Sequence, residues 1–365
     1  MTEKYAVVVI GGGAAGLSAA LVLGRARHRA LVVDAGAPRN APAAHMQGYL
    51  TRDGMPPAEF LAAGREEIAR YGVELVRDRV VEVTRGEDRS GVQGEDFTVA
   101  PGEDLTVAQG EDLTVAQGED LTVAQGEDFS VAQGEDLTVP QGEGFTVVLA
   151  GGRTVRARRL VVATGLKDEL PSVAGVAERF GRDVLHCPFC HGWEVRDQPF
   201  GVLATGPASV HQALMVSQWS KDVRFFLHTV AEDDLSDEDL RRLAAAGVEV
   251  VPGEVAGLVV EDDRLTGVRL TDGTTHPRSV LFLAPRAVPQ TGLLERLGAE
   301  LHETPFGAYP VVDPTGLTTV PGVWAAGNAI GFAEQVVHAA SGGYRAASAI
   351  VGDLLMTDLD AVARG

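Results

Sequence analysis

Residues 6–34 read AVVVIGGGAAGLSAALVLGRARHRALVVD, and the architecture turns on the order of the signals in them. A β-branched run, AVVVI, ends directly in Gly11-Gly12-Gly13-Ala14-Ala15-Gly16. An apolar helix pattern follows, LSAALVLGRAR, and a second β-branched run, ALVVD, closes on Asp34. Strand, Gly-x-Gly-x-x-Gly, helix, strand and acidic residue in that order form a dinucleotide-binding βαβ unit. Each position has a physical duty. Gly11 allows the tight turn, Gly13 lets the backbone approach a pyrophosphate, and Gly16 permits close helix–strand packing. The helix N-terminus offers N–H donors to phosphate, and Asp34 can accept hydrogen bonds from a ribose hydroxyl.

The rest of the 365-residue chain is long enough for two domains. Its 45% hydrophobic and 22% charged content is globular. No apolar run approaches the roughly 18–20 residues that span a bilayer. The start, MTEKYAVVVIGGG, leaves no room for a signal peptide, so a cytoplasmic protein is expected. The formal net charge of −20 is mostly local. Residues 86–143 hold fifteen Asp or Glu and one Arg, a net −14 that leaves −6 for everything else. Nucleic acid and anionic membranes are unsuitable partners on this balance.

That acidic segment is an octapeptide repeat, of which GEDLTVAQ is the commonest form, with units starting at Gly94, Gly102, Gly110, Gly118, Gly126, Gly134 and Gly142 and a weaker copy at Gly86. Without it the flanks join as VVEVTRGED and GFTVVLAGGRTVRARRLVVATG, consecutive strands with tight turns. The repeat therefore reads as an expanded hairpin tip, because a longer surface loop adds closure entropy only slowly. A small β-solenoid or cation-binding arm is the alternative, although the Gly-Gly-x-Gly-x-Asp pattern of calcium-binding β-rolls is absent.

The only two cysteines, Cys187 and Cys190, stand in HCPFCHGWE (186–194). Three chemistries fit that string: c-type haem attachment, zinc ligation by His186, Cys187, Cys190 and His191, and a dithiol/disulfide redox centre. Haem attachment normally follows export, for which no signal is present. Zinc sites normally pair a Cys-x-x-Cys with a distant second pair, and no second pair exists. No metal is assigned, and the redox reading stands.

Two more stretches bear on the nucleotide: RRLVVATG (158–165), a strand ending in Thr164-Gly165, and TTVPGVWAAGNAIG (318–331), which reaches Gly327-Asn328 ahead of the helix EQVVHAASGGYRAA. With the central Cys-x-x-Cys, this layout resembles the low-molecular-weight thioredoxin reductases, which are FAD-dependent disulfide oxidoreductases. The resemblance covers the chain from end to end apart from the repeat. It implies an α/β fold with two Rossmann-like, ββα-type nucleotide-binding domains. Residues 1–168 and 287–365 would form a discontinuous FAD domain, its hairpin expanded by the insertion at 86–145. Residues 169–286 would form a central NAD(P)-domain-like unit. It also implies an FAD site built on Gly11, Gly13, Gly16, Asp34, Thr164, Gly165, Gly327 and position 328, with Gln335 at the flavin ring, and a homodimer. By position Cys190 would face the flavin and Cys187 would exchange with substrate.

Three departures matter. Asn328 stands where the family has Asp. His191 replaces the acidic residue after the second cysteine, and a histidine that titrates near neutrality can serve as base to a thiol. His338, one helical turn past Gln335, could join it, and His186 is assigned a structural role. In the central domain the expected Gly-x-Gly-x-x-Ala becomes Ala204-Thr205-Gly206-Pro207-Ala208-Ser209, and the arginines that clamp the NADPH 2′-phosphate are replaced by a run ending Glu232-Asp233-Asp234. NAD(P)H is therefore left open as a cofactor. These features resemble, more than thioredoxin reductase itself, the flavin dithiol oxidases that close the disulfides of gliotoxin- and holomycin-type natural products. The expected activity is oxidation of a small-molecule or peptide dithiol with O2 as acceptor. The alternatives are an NAD(P)H-dependent reductase of thioredoxin or another disulfide, and a non-enzymatic redox-sensing flavoprotein.

Overall fold

The computed structural model describes residues 2–86, 144–206 and 209–364. Strand Glu3–Ile10 lies at the centre of a seven-stranded sheet. It pairs in parallel with Ala30–Asp34 on one side and Thr154–Val162 on the other. Glu74–Arg77 extends the parallel run at one edge, and Val323–Ala325 pairs with the far half of Thr154–Val162. The period-2 alternation of a strand sends its side chains to two cores. Val7 and Val9 pack with Leu17, Leu23 and Ile350, towards helices Ala14–Arg25 and Val336–Arg364. Val8 and Ile10 pack against Phe145, Val147 and Leu294 on the opposite face. Burial on both faces explains the unbroken apolar run at 6–10, since each fully buried valine contributes roughly 1.5–3 kcal/mol.

Val80–Arg85 pairs antiparallel with Phe145–Leu149, which pairs in turn with Thr154–Val162. The Gly86 N–H donates to the Gly144 carbonyl at 3.1 Å, so both ends of the insertion meet at one hydrogen bond. The repeat itself, over 87–143, lies outside the described residues.

Between 184 and 283 the chain builds a second, fully parallel sheet in the order Val248–Val251, Val223–Phe226, Phe200–Leu203, Val280–Leu283, Val184–Leu185. Helices Ser209–Val216 and Asp237–Ala245 cover one face through Phe225, Ala213 and Leu243. A three-stranded antiparallel sheet, Val255–Glu261, Arg264–Leu270 and Thr275–Pro277, covers the other through Phe226, Leu265 and Val268. The chain passes between the two sheets along an antiparallel ribbon of Leu166–Glu169 with Arg286–Pro289. The α/β class expected from the sequence is met. Among the described residues no helix is long and apolar enough to cross a membrane.

Candidate active site: a disulfide beside a dinucleotide cradle

The glycine loop is made of contacts that a side chain would block. Gly11 has φ 112°, and a Cβ there would lie 2.2 Å from the Ala163 carbonyl oxygen. A Cβ on Gly16 would lie 1.8 Å from the Gly11 carbonyl oxygen. Gly13 differs, because a Cβ there would meet nothing within 4 Å. It is the N-cap of helix Ala14–Arg25, with no side chain capping the first turn. The orphan amides of that turn border an open cavity of about 1160 Å³. A phosphate fits such a cradle.

Asp34 closes the second strand and is buried. Its carboxylate accepts the Gly36 N–H at 3.1 Å and faces Arg77 Nη1 at 3.3 Å and Arg65 Nη2 at 3.8 Å. Thr164 Oγ1 donates to the Gln290 carbonyl at 3.0 Å, and the Gln290 N–H donates to the Gly165 carbonyl at 3.0 Å. These bonds fix the strand end where it enters the ribbon. Gly327, with φ 68°, leaves room for Ala15, whose Cβ would stand 3.0 Å from a Cβ at 327.

Asn328 shows why an amide replaces the family's carboxylate. Its Nδ2 donates to the carbonyls of Gly331 at 3.0 Å and Phe332 at 3.2 Å, while Arg39 Nη1 approaches its Oδ1 at 3.5 Å. An aspartate would turn an oxygen towards two carbonyl oxygens. The same Arg39 holds Asp168 through two bonds of 2.8 and 2.9 Å. Arg39 and Asp168 line the cavity, yet sequence reasoning passed over both: Arg39 lies in an irregular stretch and Asp168 in a short ribbon strand, where no motif marks them.

Cys187 and Cys190 are joined as a disulfide. Cys187 is the N-cap of the short helix Pro188–His191, with Pro188 preset for the first turn. Across the cavity, Gln335 Nε2 donates to Cys187 Sγ at 3.6 Å, and its Oε1 lies 3.4 Å from Cys190 Sγ. His191 is half-buried, and neither ring nitrogen has a hydrogen-bond partner. Burial holds its pKa below the usual histidine range, against the opposing pull of Glu194 and of the Cys187 carbonyl, which falls short of a hydrogen bond. The ring is therefore neutral near pH 7, with both nitrogens buried and unpartnered.

Of the residues selected from the sequence, all but Gly16 and His338 line this one cavity. Gly16 lies behind it, where its packing duty puts it. His338 is exposed and acts on Glu334, whose carboxyl is pushed up by burial. His186, read as structural, does line the cavity. Its carbonyl accepts from Gln212 Nε2 at 2.7 Å, and burial, then Arg39, lowers its pKa.

A nucleotide cradle and a disulfide sharing one cavity describe a flavoprotein disulfide oxidoreductase. The family model of pyridine nucleotide-disulphide oxidoreductases matches residues 5–343. The chain belongs to that family. The structure of HlmI is 45% identical, covers 99% of this chain and 96% of that one, and superposes with a TM-score of 0.80. An oxidoreductase from Agrobacterium tumefaciens is 32% identical over 97% of this chain and 99% of its own, with a TM-score of 0.76. Thioredoxin reductase sirT of Leptosphaeria maculans is 29% identical over 98% of this chain and 96% of its own. The resemblance to thioredoxin-reductase-like proteins and their dithiol-oxidase branch is borne out. FAD is the cofactor of this oxidoreductase class, and the open Gly13 cradle fits it.

The oxidoreductase repeats the strand–turn–helix unit in its second sheet, and hydrogen bonds align the two copies. The Gly11 N–H donates to the Val33 carbonyl at 2.8 Å, and the Ala204 N–H donates to the Phe226 carbonyl at 2.9 Å. Ala204 thus matches Gly11, Gly206 matches Gly13, and buried Leu227 occupies the place of Asp34. The Thr205 N–H, equivalent to that of Gly12, is taken by Ser209 Oγ at 3.0 Å. Further along, the 3-10 turn Glu232–Asp234 presents three carboxylates. His228 spends its Nδ1 on the Val255 N–H at 3.1 Å.

Proposed function

We propose that this oxidoreductase is an FAD-dependent dithiol oxidase. It would convert a small-molecule or peptide dithiol to its disulfide, using Cys187–Cys190 as the relay and O2 as the final acceptor. In this reading residues 1–168 and 287–365 form the FAD-binding unit, and residues 169–286 carry the relay. The observation that carries it is Leu227. At the position where Asp34 can hold a ribose, the second unit offers an apolar side chain, and the acidic turn at 232–234 would repel a 2′-phosphate rather than bind it. Electrons then have to arrive from a thiol.

One substrate thiolate attacks Cys187 Sγ, and Cys190 leaves as a thiolate. The second substrate thiol attacks the substrate sulfur of that mixed disulfide, closing the product disulfide and releasing Cys187. His191, neutral and without a partner, receives a proton from the substrate thiol. Bound FAD supplies the two-electron chemistry that restores the enzyme disulfide and gives H2O2 from O2. The balance is one dithiol and one O2 in, one disulfide and one H2O2 out. Gly11, Gly13, Gly16, Asp34, Thr164, Gly165 and Gly327 would hold the cofactor. Asn328 and Arg39 would fix the loop leading to Gln335.

The substrate side carries exposed aromatic surface. Phe189, between the cysteines, is 68% exposed, and Trp193 is 65% exposed. Both rings are held, Phe189 edge-on by Trp219 and Trp193 by Arg196 above it at 4.0 Å. Rigid apolar faces beside the disulfide favour a dithiol with an apolar or aromatic body. A second reading, NAD(P)H-driven reduction of thioredoxin or another disulfide, draws on the retained Gly206.

An oxygen electrode with no nicotinamide present tests the proposal. Oxygen uptake on adding a small dithiol, matched by equimolar H2O2 and product disulfide, is expected. Absence of uptake with every dithiol tried would refute it.

A further inference from the structure

We infer that Gln212 is a positioning residue for the relay, anchoring the redox turn so that Cys187 and Cys190 stay within closing distance while reduced. The inference rests on the redox reading of Cys187–Cys190. Helix Pro188–His191 has four residues and buries none of them, and so short a helix is not stable by itself. Its order comes from contacts behind it, and both ends of the turn meet one helical segment of the second unit. At the front, Gln212 on helix Ser209–Val216 donates from Nε2 to the His186 carbonyl at 2.7 Å. At the back stands Trp219, whose N–H donates to the Val216 carbonyl at 3.0 Å and so continues that segment. Gly192 lies against its indole, where a Cβ would come within 2.8 Å of the ring. Phe189 meets the same ring edge-on at 5.8 Å, and the Trp219 carbonyl accepts the Asp197 N–H at 2.8 Å.

Gln212 is buried, and its amide has one possible orientation, because a backbone carbonyl can only accept. Its Oε1 is thereby turned to a place where, among the described residues, no donor meets it. A half-satisfied amide in a core costs stability that an apolar side chain would not, so the bond to His186 is what the glutamine supplies. While the S–S bond closes the turn, that anchor has little to restrain. A reducing dithiol gives the pair two electrons and two protons, which replaces the S–S bond by two thiols and leaves the reductant as its own disulfide. The opened turn could then fray. Anchoring it at residue 186 removes that freedom and raises the effective concentration of one sulfur at the other, which favours reclosure. With the Thr205 amide already taken by Ser209, the second unit's helix serves the relay in place of a nucleotide.

The test equilibrates the FAD-loaded protein anaerobically in dithiothreitol buffers of graded reduced-to-oxidised ratio at one pH, followed by acid quench and thiol counting. The chain has no other cysteines, so every thiol counted belongs to the pair. Parent and Gln212→Met, of similar length and without a donor, are compared, with flavin absorbance and melting temperature read on the same preparations. The midpoint of Gln212→Met should fall at a reduced-to-oxidised ratio about fivefold lower than the parent's, the worth of one ordinary hydrogen bond. Trp219→Phe, which loosens the other end of the turn, should shift it in the same direction. An unmoved midpoint in Gln212→Met, with or without a changed melting temperature, would reduce Gln212 to a packing residue and overturn the inference, as would a shift to higher ratios. Gln212→Leu repeats the comparison if methionine prevents folding. A parent that yields no thiols at any ratio would instead refute the redox reading itself.

Discussion

The two strand–turn–helix units of this chain share a backbone path and differ in what they can hold. In the first, three glycines let the turn press against Ala163, open the helix end at Gly13, and bring the turn against Asp34. In the second, Ala204 replaces the first glycine, Ser209 Oγ occupies the turn amide, and Leu227 fills the acidic position. The strands of both units remain parallel and well packed. The lesson is that a fold unit survives the loss of its ligand chemistry, because the sheet is held by buried valines, leucines and phenylalanines rather than by the turn.

Substitutions in the two turns can break this comparison. Gly16→Ala drives a Cβ to 1.8 Å from the Gly11 carbonyl, and overpacking of that kind costs roughly 1–3 kcal/mol. It should give colourless, less soluble protein, whereas Gly206→Ala, whose Cβ meets nothing within 4 Å, should leave dithiol turnover within about twofold. Absorbance near the flavin band and oxygen uptake report both. Next in size is Gly13→Ala. Its Cβ is free of the fold, so thermal stability without FAD should be unchanged. Filling the phosphate cradle should weaken FAD binding by about tenfold or more, the worth of a charge-assisted hydrogen bond. Calorimetric titration of apoprotein measures it, and unchanged affinity would show that the cradle is not where the phosphates sit.

Asn328→Asp restores the family residue and should be harmful here. An added carboxylate oxygen would face the Gly331 and Phe332 carbonyls, at a cost of about 1–3 kcal/mol. A lower melting temperature, partly recovered at acid pH as the carboxyl protonates, is the expected signature relative to the parent. Acid has the opposite effect on the parent itself. His28, His186, His191 and His228 all have pKa values lowered from 6.5, chiefly by burial. The unfolded chain binds those protons more readily. Stability is therefore retained above about pH 6.5 and declines as pH falls through that value. Thermal melts from pH 7.5 to pH 5 should show the decline, and a flat profile would mean that these rings are hydrated.

Much of this was legible in the sequence where local chemistry is obligatory. Gly11, Gly13, Gly16 and Asp34 could be read because strand, turn and helix are contiguous, and the cysteine pair because no other cysteines compete for it. The pairing of 80–85 with 145–149 was legible across a long insertion, because the flanks alone complete a hairpin. Arg39 and Asp168 were not, since their bond joins residues 129 positions apart with no spacing rule between them. Nor could the sequence place Gln335 against both sulfurs, or turn His338 outward, because such contacts depend on how the two sheets meet. The equivalence of Leu227 with Asp34 needed the matching strand-end hydrogen bonds.

The central claim is that electrons enter from a dithiol and not from a nicotinamide. Anaerobic stopped-flow mixing tests it directly, with the oxidised, FAD-loaded protein mixed separately with NADPH, NADH and a small dithiol. Bleaching of the flavin by the dithiol, and none by micromolar nicotinamide, is the predicted result. Rapid bleaching by micromolar NADPH or NADH would contradict the account.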